Sequence, residues 1–349
     1  MSVNHDEISL SGPTDQEDEQ QTLIKLLREY QPPDASEPSS LCSSCSAISF
    51  DPKSPDFGEK HTIGTYVEIF NRRSCPMCRL VTSLARRCLD IGYYKGSWQD
   101  HLSSDTITIT WYPELAGFIS NYFGLGARLY FLDDENSAAQ NLPRSGKRIP
   151  DRIDFQLAAR WLQACEKEHG TSCRSEKKKG QDKQSFRVID AENVCIVNAP
   201  KECRYLTLSY VWGNVQTVKL FRENKHILMA HRGLDSVWET LPRTIADAIE
   251  FVRLIGERYL WVDALCLIQN DPSDMKQGIF MMDQIYEESI ATIIAASGQD
   301  AAFPLPGVQP DSRAPRQMIE EIRPGYRMLA IVGLDDCMKD SIYETRAWT

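Results

Sequence analysis

Positive charge is scarce in this chain. Its 39 lysines and arginines are outnumbered by 49 aspartates and glutamates, which leaves a formal net charge of −10 at pH 7. So acidic a balance argues against a general nucleic-acid binder and against a protein held by anionic membrane surfaces. Long apolar runs are missing as well. No stretch reaches the roughly 18 apolar residues of a membrane span, so none is expected. The opening residues, MSVNHDEISLSGPTDQEDEQQ, show neither a basic n-region nor an apolar h-region, and no signal peptide is visible. GxxxxGK[ST], GxGxxG and GxSxG are all absent, which removes the P-loop, the dinucleotide fingerprint and the serine-hydrolase elbow as readings. Cys266 sits in an apolar run with no histidine nearby in sequence, so a buried, inert thiol is its expected state.

Cysteine, by contrast, is plentiful. There are 11, an odd number. In a chain without a visible secretion signal, this points to reduced thiols or metal sites rather than to a disulfide framework, and to the cytoplasm. Cys42-x-x-Cys45 and Cys75-x-x-Cys78 form two CxxC pairs. Tetrahedral zinc is served by four thiolates presented on two tight loops. The intervening segment exceeds the usual ribbon spacing of roughly 15–20 residues. Two readings therefore stand: a zinc site, or four ordinary reduced cysteines with Cys78 on the buried face of the next helix. Cys165, His169 and Cys173 are spaced by four, but Gly170 is placed to end their helix, and a structural role is expected for them.

Composition divides the chain. Residues 1–40 are rich in Asp, Glu, Gln, Ser and Pro and read as a mostly disordered tail. Within it, Gln16 to Tyr30 can form a short helix with Leu23, Ile24, Leu27 and Tyr30 on one side, stopped by Pro32-Pro33. Residues 41–173 read as a Cys-rich α+β region. It has a helix from Pro76 to about Leu89, strands at 106–111 and 127–132, and a helix from Asp154 to about Glu168. A polar run at 174–184 reads as a linker. Beyond it, strands are expected at 186–190, 205–212, 259–268 and 291–296, with helices at 244–255 and about 273–288. That alternation predicts βαβ units in an α/β domain over 185–349, with a largely parallel sheet and helices on both faces. Ligand sites in such folds lie beyond the carboxyl ends of the strands, where Ser209 to Asn214 and Asp263 to Asp271 would converge.

The stretch from Leu241 to Asp271 carries the most information. Ile245, Ala248, Ile249, Val252 and Ile255 repeat at helical spacing, as one buried face does. Thr244 is placed to cap the helix, Asp247 to face its positive end and Gly256 to end it. Tyr259 to Ile268 is almost wholly apolar, as a strand covered on both faces is. Asp263 is its one charge, and a buried carboxylate must be hydrogen-bonded or used.

These residues also resemble a known family. LPRTIADAI (241–249) followed by YLWVDALCLIQND (259–271) is similar to the heart of the fungal heterokaryon-incompatibility (HET) domain. In the same order stand YLTLSYVWG (205–213), Ile285-Tyr286 with ATIIA (291–295), Leu305-Pro-Gly307 and the closing Arg346-Ala-Trp-Thr349. The resemblance runs from Tyr205 to Thr349. The family's Arg-x-Trp-Thr element continues into Phe-Gln-Glu, so a C-terminally incomplete domain is expected here.

The resemblance implies an effector or signalling module of non-self recognition and programmed cell death. Its partners would be proteins: allelic or non-self sensors, or further copies of itself. HET domains have been likened in fold to TIR domains, some of which cleave NAD, so the resemblance implies a TIR-like, flavodoxin-like fold by analogy. A TIR-like NAD-consuming enzyme is therefore the alternative, and a zinc-stabilised interaction scaffold a third reading. The ligand-site candidates are Ser209, Trp212, Asp247, Asp263, Gln269 and Asp271, with Asp263 and Ser209 the candidates for chemistry. In the HET pattern a glutamate follows on the next helix. Counting back from Met282-Asp-Gln-Ile-Tyr286, that position is Gly278 here, so efficient NAD hydrolysis is not expected.

Overall fold

The computed structural model describes residues 16–32, 39–50, 59–90, 106–112, 117–120, 128–133, 145–170, 186–313, 317–333, 338 and 341–344. The expected linker at 174–184, Cys173 and the closing Arg346–Thr349 fall outside these residues. The chain forms two compact units, Met1–Ile149 with Arg316–Asp340, and Pro150–Pro315 with Ser341–Thr349. The segment expected as one domain, 185–349, is therefore divided between them.

The first unit begins with α1 (Gln16–Glu29). Leu23, Ile24, Leu27 and, just beyond its end, Tyr30 are buried, which matches the one-sided pattern in the sequence. A single helical turn, α2 (Ser43–Ser46), carries Cys45 and follows directly on Cys42. β1 (Lys60–Thr65) leads into α3 (Tyr66–Asn71). Thr65 Oγ1 accepts from Glu68 N at 3.3 Å while Glu68 Oε2 accepts from Thr65 N at 3.0 Å, so the two orphan donors of this helix start are satisfied reciprocally. α4 (Pro76–Asp90) starts on proline, whose missing N–H costs nothing there. Met77, Leu80, Val81, Leu84, Ala85 and Cys88 fall three and four apart and are all buried. β2 (Thr106–Tyr112), β3 (Gly117–Ser120) and β4 (Arg128–Phe131) follow, each antiparallel to its neighbour.

The second unit opens with α5 (Phe155–Glu168), capped by Asp154, whose Oδ1 accepts from Leu157 N at 2.8 Å. Its sheet is built from β5 (Arg187–Asp190), β6 (Cys195–Asn198) and β7 (Tyr205–Ser209). Next come α6 (Lys225–Leu228), a 3-10 turn at Gly233–Thr240 and α7 (Arg243–Leu254). β8 (Tyr259–Trp261), α8 (Asp263–Cys266), α9 (Pro272–Phe280), α10 (Met282–Glu287) and β9 (Thr292–Ile294) complete it.

The strand order is β6-β5-β8-β7-β9. β7 pairs in parallel with β8 and β9, but β5 is antiparallel to both β6 and β8. The fold is α/β as expected, while its sheet is mixed rather than largely parallel. A tight turn forces the antiparallel pair, because only a long crossover can join parallel neighbours. Asp190 Oδ1 accepts from Glu192 N and Asn193 N, each at 3.1 Å, and Val194 adopts φ 50.

The expected strand at 259–268 is also corrected. It stops at Trp261, and one helical turn follows. Leu260 to Ile268 are buried all the same, apart from the half-buried Asp263, since a continuous apolar run does not distinguish a buried strand from a buried turn of helix. The helix expected at 273–288 breaks at Met281 into α9 and α10.

The chain then forms the hairpin β10 (Met318–Arg323) and β11 (Tyr326–Ile331), which turns on Gly325 at φ 78. β11 pairs antiparallel with β4. This completes a six-stranded sheet in the first unit, ordered β1-β2-β3-β4-β11-β10. Ile322, Met328 and Ala330 of the hairpin share one core with α1, α4 and the cysteine pairs.

Candidate functional site

The two CxxC pairs come together in the first unit. The sulfurs of Cys42, Cys45, Cys75 and Cys78 all lie within 4.8 Å of one another. Cys78 Sγ is 3.9 Å from the sulfurs of both Cys42 and Cys45. Four thiolates at about 2.3 Å from a tetrahedral zinc stand about 3.8 Å apart, so the residues present fit such an ion. Three of the four cysteines are buried and Cys42 is half-buried. Crowding splits their acidity. Hydrogen bonds from Cys45 and then Cys78 hold the Cys75 thiol below the usual range. The same bonds from Cys75 and Cys78, together with burial, push the Cys45 thiol up. Arg72 stands behind the cluster, with Nη1 donating to Ile63 O at 2.7 Å and lying 4.0 Å from Cys42 Sγ. A cation beside four sulfurs offsets the charge that they would carry as ligands.

A second constellation occupies the carboxyl ends of β7 and β8. Asp263 begins α8, directly after β8. Its Oδ2 accepts from Trp212 Nε1 at 3.0 Å, and its Oδ1 accepts from Tyr210 OH at 3.3 Å and from Ala264 N at 2.7 Å. The rings of Tyr210 and Trp212 are nearly parallel, at 22°, and Lys219 Nζ lies 4.7 Å above the Trp212 ring. Gln269 Nε2 donates to the carbonyls of Asp263 and Leu267. The lone carboxylate of the apolar run is thus bound by two aromatic side chains as well as by a backbone amide. Even half-buried, a charge is costly without such partners.

Of the other candidates, Ser209 is buried at the end of β7, and its carbonyl accepts from Ala295 N at 2.9 Å. Asp271 caps α9, accepting from Ser273 N and Asp274 N. It also pairs with Arg222 at 2.8 Å, which holds its carboxyl below the usual range. Asp247 lies elsewhere, fully buried. It sits in the second turn of α7 rather than the first. Its Oδ2 accepts from Leu305 N at 2.9 Å, and its Oδ1 faces Arg243 Nε at 3.1 Å. Thr244 does not cap α7, because Pro242 occupies that position. Its hydroxyl instead donates to Phe303 O at 2.6 Å. Asp247 and Thr244 therefore fasten the 301–305 loop to α7, and neither reaches Asp263. Gly278 is buried against Leu267, whose Cδ2 would lie 2.3 Å from a β-carbon there. The position holds helix packing. Cys165 Sγ lies 3.4 Å from His169 Nδ1 at the end of α5.

The motifs Tyr205–Gly213 and Tyr259–Asp271 thus meet in one strand-end network, while Leu241–Ile249 is tied through Asp247 to Leu305. Residues 205–349 match the family model described as heterokaryon incompatibility protein (HET). This stretch is the HET region of the chain, similar to that family over Tyr205 to Thr349. No curated protein and no solved structure matches it. Part of the HET match, the β10–β11 hairpin, lies in the first unit's sheet. Among the described residues, no helix is long and apolar enough to cross a membrane.

Tyr210, Lys219 and Arg187 were not among the sequence candidates. Tyr210 was accessible in principle: it stands two residues before Trp212, and alternation along an extended segment sends both to one face. Arg187 is a lone cation in the apolar run FRVI. It is buried, pairs with Asp274 and donates from Nε to Cys266 O at 2.9 Å. Nothing in the sequence links it to Asp274, because that contact is made by the fold.

Proposed function

We propose that this protein is an effector or signalling module of non-self recognition, acting in the cytoplasm through association with protein partners and leading to programmed cell death. The HET match over 205–349 carries this reading. The Tyr210–Trp212–Asp263 network supports it by joining two of the family-like motifs at the strand ends. The partners would be allelic or non-self sensor proteins or further copies of the chain, in the fungal setting that the resemblance implies. The test is overexpression of the full chain in a fungal host. The parent chain should arrest growth, and Asp263→Asn should abolish the arrest at equal soluble protein and equal melting temperature. A parent chain that leaves growth unchanged overturns the reading.

In the same reading, Cys42, Cys45, Cys75 and Cys78 hold one zinc ion. Four protein ligands leave no open position, so the ion would serve structure rather than catalysis. Elemental analysis of reduced, purified protein should find one zinc per chain, and none after all four cysteines are changed to serine.

A further inference from the structure

The geometry points to a metal at the four cysteines as the lock that holds the HET region's β10–β11 hairpin in the first unit's sheet. This inference rests on the zinc reading above.

Each CxxC pair sits at the base of a short arm, and each arm grips the hairpin at a different point. The arm after Cys78 carries Arg79 at the start of α4. Its Nε donates to Glu320 Oε1 at 3.0 Å and its Nη2 to Glu320 Oε2 at 2.6 Å. The same guanidinium donates through Nη1 to the carbonyls of Arg73 and Ser74. The arm after Cys45 carries Ile48 and Phe50. Arg323 Nη2 donates to Ile48 O at 3.2 Å, and the Arg323 guanidinium lies 5.2 Å from the Phe50 ring centre. Glu320 and Arg323 both belong to β10, which among the described residues is the edge strand of its sheet and pairs with β11. Among the described residues, the hairpin is held on that side by these two arms and by the shared core beneath them.

Besides the Ser40 amide on Ser74 O at 3.2 Å and Arg72 Nη1 on Ser44 Oγ at 3.5 Å, the two CxxC loops meet through sulfur contacts at 3.9 Å. A thiol is a weak donor and a weak acceptor. With zinc, the loops become one cross-linked unit, and both grips are fixed together. Coordination far in sequence thereby controls a segment of the HET region, residues 318–331, that contributes no ligand.

Hydrogen exchange on the full, reduced chain tests this, read before and after zinc is stripped with a high-affinity chelator and again after zinc is restored. Stripping should speed exchange in 318–331 by about tenfold or more through local opening, leave β7 and β8 unchanged, and be reversed by zinc. In the zinc-loaded chain, Glu320→Gln should speed exchange in β10 while one zinc per chain is retained. If the chain binds zinc but exchange in 318–331 does not change on stripping, the lock is overturned and the zinc site stands. Equal acceleration across β1 to β4 also overturns it, because the metal would then support the whole sheet and not the hairpin. A chain that takes up no zinc on titration overturns the zinc reading itself.

Discussion

At the scale of single residues, two side-chain positions reverse their apparent roles once packing is known. Gly278 looks like a helix weakened by glycine, where alanine should help by roughly 0.5–1 kcal/mol. The structure predicts the opposite. A β-carbon at 278 would meet three side-chain carbons of Leu267 at 2.3, 2.8 and 3.1 Å, and overfilling a packed core costs about 1–3 kcal/mol. Gly278→Ala should therefore lower the urea midpoint, and Gly278→Glu should lower it further without creating a usable carboxylate. A stabilised alanine variant would show that Leu267 yields freely.

Asp247 is the other case. Burial lifts its carboxyl above the ordinary 3.8, against the Leu305 amide and Arg243, which pull it down. The native chain thus holds this proton more tightly than the unfolded chain. As pH rises through 3.8 towards the raised native value, ionisation of Asp247 subtracts stability. Asp247→Asn removes that titration. Its stability relative to the parent should shift in the variant's favour across this window and level off above it, as read from urea midpoints at pH 3 to 7. A relative stability that shifts the other way would mean that Arg243 outweighs burial.

At the scale of elements, the sequence was most legible where one local cause sets the outcome. α4 is visible from its apolar spacing and its leading proline. The end of α7 is visible from Gly256. There the Gly256 amide donates to Arg253 O at 3.1 Å and the Glu257 amide to Val252 O at 3.0 Å, with Gly256 at φ +81. This paired closure favours a left-handed glycine. No atom lies within 4 Å of a β-carbon built at Gly256, so Gly256→Ala should cost only the conformational penalty, about 1–2 kcal/mol, by thermal or urea unfolding. A loss well beyond this would reveal a steric contact.

Legibility failed where two causes compete. β8 ends at Trp261 because the Asp263 carboxylate captures the Ala264 amide and the Cys266 amide turns back to Val262 O at 2.7 Å. Hydropathy alone cannot show either bond. The candidate site was half legible for the same reason. Asp263 and Trp212 stand out in the sequence as a misplaced charge and a motif aromatic, whereas the bonds by which Asp247 holds a loop and Asp271 a helix start appear only in the fold.

At the scale of the whole molecule, the boundaries of the family match and the boundaries of the compact units differ, and this has a measurable consequence. A fragment cut at 205–349 keeps β7, β8 and β9 but loses β5 and β6, so β8 loses its antiparallel neighbour. It also loses Arg187, which leaves Asp274 facing a vacated buried position; breaking such a pair by removing one partner costs about 3–5 kcal/mol. The same fragment retains the β10–β11 hairpin without β4, its sheet partner, and exposes Ile322, Met328 and Leu329, which are all buried in the full chain. An unpaired apolar hairpin edge invites aggregation. A fragment cut at 150–313 has neither defect, because the five strands of its sheet and the Arg187–Asp274 pair all lie within it. The 150–313 fragment should therefore be soluble and unfold cooperatively, whereas the 205–349 fragment should be insoluble or lack a cooperative transition. Circular dichroism melts and size-exclusion profiles of the two decide the matter. A cooperative, monomeric 205–349 fragment would show that β5, β6 and the first unit's sheet are dispensable to the HET region.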